Sequence, residues 1–104
     1  MDRVKTSARL KQLMSERNLK QVDILRLSEP YQKELNIKMS KSTLSQYVTG
    51  KQSPDQNRIY LLSKTLDVNE AWLMGFDVSK KRIPDEQRSS EKNDFDIVPI
   101  FNQL

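Results

Sequence analysis

Before its last ten residues the sequence repeats its large apolar side chains at intervals of three and four, and it does not alternate apolar with polar residues as a strand does. A chain patterned this way buries its apolar surface by packing helices against one another, so the expected fold class is all-α.

Local punctuation divides the pattern into five helices. The first spans about residues 7–17, with Leu10, Leu13 and Met14 on one stripe and Asn18 ending it. The second begins near Lys20 or Gln21 and turns Val22, Leu25 and Ile24 inward. Pro30 closes it by residue 28 or 29, because the residue before a proline is pushed out of the helical region. Residues 31–39 then form a long connection with room for one helical turn at 31–35. The third helix lies in SKSTLSQYVTGKQSP, residues 40–54, between a capping Ser40 and a terminating Gly50. The fourth opens on Ser53, with Pro54 at the first helical position and Gln56 three residues after the cap, and it aligns Ile59, Leu62 and Leu66. The fifth, residues 69–74, starts at Asn69, presents Ala71, Trp72 and Leu73, and stops at Gly75.

A length of 104 residues with 36% hydrophobic content supports one small core and an appendage. The expected domain is 4–76. Residues 77–94 shift to Ser, Lys, Asp, Glu and Gln around Pro84, the composition of a flexible linker. Residues 95–104, FDIVPIFNQL, form a short apolar tail. It reads as the start of an oligomerisation or interaction segment, either cut short or docking on another surface.

The chain has no cysteine and no histidine. That removes disulfides, thiolate nucleophiles, zinc sites of the Cys/His kind and histidine bases. With only two glycines there is no phosphate-cradling loop, and no nucleophile stands near a base, so neither an enzyme nor a cofactor or metal site is expected. The charged N-terminus (Asp2, Arg3, Lys5, Arg9) lacks a signal-type apolar core and no later segment is a membrane span, so a soluble, cytoplasmic protein is expected. Net charge is +4, unevenly shared: residues 1–75 hold 13 basic and 8 acidic side chains, and residues 76–104 hold 5 and 6. The basic excess in the part expected to fold favours a polyanionic partner.

On the third helix Leu44, Tyr47 and Val48 fall on one side, and Ser42, Ser45, Gln46 and Thr49 on the other. That polar side lacks the Glu and Lys pairs that usually solubilise an exposed helix. Short hydroxyls and an amide suit a DNA groove: Gln pairs bidentately with adenine, Ser and Thr donate or accept at any base, and Lys41 reaches a guanine edge or a phosphate. A merely solvated helix would carry the same residues, and its neighbour Lys20 weighs against that reading. A cation at a helix start opposes the dipole by several tenths of a kcal/mol, where a Ser or Asp cap would contribute about 1. Lys20 makes sense there if a phosphate binds beside it and Gln21.

The order LKQLMSERNLKQVDIL followed by STLSQYVTGKQSPDQNRIYLLSKTLDVNEAWLMG resembles the lambda repressor and Cro-type helix-turn-helix family in its bacteriophage repressor version. The resemblance covers about residues 4–75. It implies a five-helix lambda-repressor-like domain in which the third helix enters the major groove and the second lies across the backbone. It puts base-reading roles on Lys41, Ser42, Ser45 and Gln46, and phosphate roles on Gln21, Thr49, Lys51, Gln52 and Ser53. To these the residues themselves add Lys20. The implied function is a transcriptional repressor, phage or prophage encoded, that binds a double-stranded operator as a homodimer in a bacterial host cell, associated with the nucleoid. The tail leaves an alternative open, a protein-interaction module with an antirepressor or antitoxin-type partner. Two features depart from the family pattern. Residues 29–39 lengthen a turn that is usually short, and Lys20 replaces the usual Ser or Thr.

Overall fold

The computed structural model describes residues 4–83, where five helices follow one another: α1 (Thr6–Arg17), α2 (Gln21–Leu35), α3 (Lys41–Thr49), α4 (Gln56–Leu66) and α5 (Glu70–Leu73). Three open on a side chain that accepts an otherwise orphan backbone N–H: Ser40 from Thr43, Asp55 from Arg58, and Asn69 from Trp72. Four close on a left-handed residue, Asn18, Asn36, Gly50 and Asp67. Asn and Asp tolerate that conformation, so the chain ends most helices without glycine.

The fourth helix starts later than expected. Asp55, not Ser53, is its cap, and Pro54 precedes it. Asp55 prevails because it takes two bonds from Arg58, one from the backbone N–H at 2.8 Å and one from the guanidinium at 3.1 Å.

The second helix departs furthest from expectation. Pro30 does not end it; the helix continues for five further residues to Leu35. Proline releases the carbonyl four residues earlier, that of Arg26, and both residues are exposed, so water can satisfy the released group. Tyr31 and Leu35, expected in a connection, pack against the core instead. The inward stripe is also rotated from the one expected: Ile24 is fully buried, Leu25 packs against the core, and Val22 is 52% exposed. The buried line runs through Ile24, Ser28, Tyr31 and Leu35, which puts Val22 about 200° from Ile24. A serine in that line hides it from an apolar reading. Ser28 is fully buried, yet its hydroxyl donates to the Leu25 carbonyl at 2.6 Å and accepts from Gln32 at 2.9 Å.

The core joins Leu10 and Leu13 of α1, Ile24 of α2, Leu44, Tyr47 and Val48 of α3, Ile59, Leu61, Leu62 and Leu66 of α4, and Trp72 and Leu73 of α5. Each fully buried leucine or isoleucine contributes about 1.5–3 kcal/mol relative to exposure. The broadest helix contact is α2 on α4, while α1 lies against both α3 and α5. The Arg9 guanidinium stacks over the Trp72 ring at 4.4 Å, tying α1 to α5.

The segment 77–83, where a linker was expected to begin, is fastened to the domain. Asn69 donates its backbone N–H to the Lys80 carbonyl at 2.8 Å, Val68 and Lys81 form an isolated antiparallel bridge, and the Lys80 ammonium pairs with Glu16 at 2.9 Å. Residues 84–94 of that linker and the tail 95–104 lie outside the described residues. Among the described residues no helix is long and apolar enough to cross a membrane, and no acidic cluster suited to a metal ion occurs.

Gly75 has φ +102°, and a Cβ there would stand 1.7 Å from the Val4 carbonyl oxygen. Gly75→Ala therefore combines left-handed strain with a backbone clash and should cost at least about 2 kcal/mol in urea unfolding. At the start of α2, Asp23 accepts from the Lys20 backbone N–H at 2.9 Å and from Arg26 at 2.8 Å, the first more than the second holding its carboxyl below the ordinary value. Gln12 and Lys80 act on Glu16 in the same sense. A depressed folded-state pKa stabilises at neutral pH and loses that contribution as pH falls below about 4. The urea midpoint of Asp23→Ala should consequently drop less than that of the parent between pH about 6 and pH about 3.

Candidate nucleic-acid interface

In α3 the expected division of faces holds: Leu44, Tyr47 and Val48 are buried, Lys41 and Ser42 are exposed, and Ser45 and Gln46 are half-buried. Burial first, and the Asp55 carboxylate after it, push the Tyr47 phenol above its ordinary pKa.

Beside this helix runs a shallow groove lined by Gln21, Lys41, Ser42, Ser45, Gln46, Thr49 and Lys51. All seven positions were singled out in the sequence, and the packing of α2 on α3 brings Gln21 alongside the others. The lining carries cations and no carboxylate. Among the described residues Lys20, Lys41 and Lys51 have no ion-pair partner, a state they share with Lys5, Lys11, Lys33 and Lys38, whereas Arg26, Arg58, Lys64 and Lys80 are each paired with an acid. Ser28, Ser40, Ser63 and Thr65 spend their hydroxyls inside the domain. The side chains of Ser42, Ser45 and Gln46 form no bond within the described residues, so their donors and acceptors are open to an outside partner. Thr49 differs, since its hydroxyl donates to the Gln46 carbonyl at 3.3 Å and must rotate to serve a phosphate.

Three positions named from the sequence do not line this groove. Lys20 stands immediately before Gln21, exposed and extended at the start of α2. A lysine side chain has no acceptor, so only half a capping box forms there, the half supplied by Asp23. Gln52 and Ser53 line a neighbouring depression beyond Gly50, together with Lys5, which precedes α1, and Thr6 and Ser7 of its first turn.

Sequence reading missed the residues that fix α3. The connection between α2 and α3 is five residues, 36–40, and each of the last four has a fixed partner. The Ile37 N–H donates to the Gln32 carbonyl at 3.1 Å, as in a Schellman ending. Arg58 Nε donates to the Lys38 carbonyl at 2.9 Å. The Met39 N–H donates to Gln32 Oε1 at 3.0 Å, and Ser40 caps α3. Only the cap was legible in advance. Arg58 had a faint local signal, its position three residues after Asp55, but nothing in sequence connects it to residue 38.

Residues 10–73, from within α1 to the last residue of α5, match the helix-turn-helix family. A search of curated proteins returned no match. Two helices in helix-turn-helix arrangement, an unpaired basic groove on the second of them, and a family match across most of the domain agree. The chain belongs to the lambda repressor/Cro-like helix-turn-helix family and is a DNA-binding transcription regulator.

Proposed function

We propose that the protein is a transcriptional repressor, phage or prophage encoded, that reads operator half-sites by inserting α3 into the major groove. The observation that carries this reading is the groove of open polar groups and unpaired cations along α3. Ser42, Ser45 and Gln46 would address base edges, with Lys41 at the leading end of the helix on a guanine or a phosphate. Lys20, Gln21, Thr49, Lys51, Gln52 and Ser53 would hold the flanking phosphates, which orient the protein without specifying sequence. Two copies on half-sites one helical turn apart, about 34 Å, would present two such helices to one face of the duplex and block polymerase. The alternative, a module that binds an antirepressor or other regulatory protein, draws on the tail 95–104, which is outside the described residues, and the two readings are compatible.

Affinity measurements on operator DNA selected from a random pool test the reading. Gln46→Ala should lose about 1–3 kcal/mol and relax preference at one base pair, while Lys51→Ala should weaken all sequences alike and reduce the salt slope by about 1. Normal operator binding by Gln46→Ala, together with a flat salt titration of the parent, would contradict it.

A further inference from the structure

Residues 29–39 lengthen the chain between the two helices of the motif, yet the structure does not leave α3 loosely attached. Five residues past Pro30 continue α2, and the remaining turn is held from both sides. Gln32 acts from α2: its amide nitrogen donates to Ser28 Oγ at 2.9 Å and its oxygen accepts the Met39 N–H at 3.0 Å. Ser28 is fully buried and Met39 nearly so, and the resulting chain of bonds, with Gln32 itself half-buried, is partly withdrawn from water. Arg58 acts from α4: Nε holds the Lys38 carbonyl, and the other side of the guanidinium holds Asp55, the cap of α4. The Lys38 carbonyl and the Met39 N–H both lie within two residues of Ser40, the cap from which α3 begins. Neither Gln32 nor Arg58 lines the α3 groove.

We infer that Gln32 and Arg58 are positioning residues that set the axial and rotational register of α3 against α2, and thereby the sequence specificity of the protein. The inference rests on the reading of α3 as the base-reading helix. Phosphate contacts by flexible lysines tolerate a small displacement of α3, whereas bidentate bonds to base edges do not. Releasing the turn should accordingly reduce specific binding and spare non-specific binding.

The test uses the full chain. Gln32→Met keeps side-chain length and removes both polar partners; Arg58→Ala removes the hold on Lys38. Gln32→Glu retains an acceptor for Met39, and Arg58→Lys retains one donor. Asn69→Ala, which removes the cap of α5 away from the turn, serves as a control for lost stability. Each variant is measured for urea stability, for affinity to the selected operator and to random duplex, and for base preference by selection from a random pool. Gln32→Met and Arg58→Ala should lose about tenfold in the ratio of specific to non-specific affinity, about the discrimination of one base pair, with an unchanged salt slope. Gln32→Glu and Arg58→Lys should recover most of the ratio. The control should lose stability and keep it. An unchanged ratio and preference in both severe variants, or an equal loss in the control, would overturn the inference. A parent protein that binds DNA with a salt slope but no sequence preference would instead overturn the base-reading role of α3, and the inference with it.

Discussion

A nine-residue helix is too short to persist in water by itself, and α3 has nine residues. Its existence depends on burying Leu44, Tyr47 and Val48 against neighbours already in place. Once that inner face is fixed, the outer face follows from helical geometry alone. Lys41, Ser42, Ser45 and Gln46 are turned outward because the apolar three are turned in, and tertiary packing thus converts a marginal helix into a rigid polar surface.

The ends of the helix matter as much as its middle. At its entry, Gln32 and Arg58 grip the two residues before the Ser40 cap. At its exit, Gly50 adopts a left-handed conformation against α1, where a Cβ would meet Ser7 Oγ at 3.3 Å. Asp55 and Arg58, bonded to each other at the start of α4, stand close in the chain to the exit of α3, and Arg58 reaches back to its entry at Lys38. The groove is a product of this arrangement, as Gln21 joins it from a different helix and Lys51 from beyond the end of α3.

Arg26, Arg58, Lys64 and Lys80 are matched to carboxylates and Arg9 is stacked on Trp72, whereas Lys41 and Lys51 of the groove and the neighbouring Lys20 are left open. Surface ion pairs contribute little to stability, so leaving Lys20, Lys41 and Lys51 unmatched costs the fold almost nothing. What it preserves is positive potential where a polyanion approaches.

Much of this was legible in the sequence because it is local. Caps at Ser40 and Asn69, the terminator Gly50 and the apolar stripes of α1, α3 and α4 depend on residues within four positions of one another, and so does the polar face of α3. Of the residues named for the site, some from the polar face of α3 and the others from the family resemblance, seven line one groove. The continuation of α2 through Pro30 was not legible, since proline is tolerated only where the released carbonyl faces solvent, which depends on how α2 lies on the domain. Nor was the rotation of α2, because a buried serine lies in its inward stripe and its hydrogen bonds exist only in the folded state. The sequence by itself determined which helices form and which side of α3 is polar, through short-range periodicity and capping. Only the tertiary structure decided how that side is held, because the bonds that hold it join residues as far apart as 38 and 58, and no local pattern encodes such a pairing.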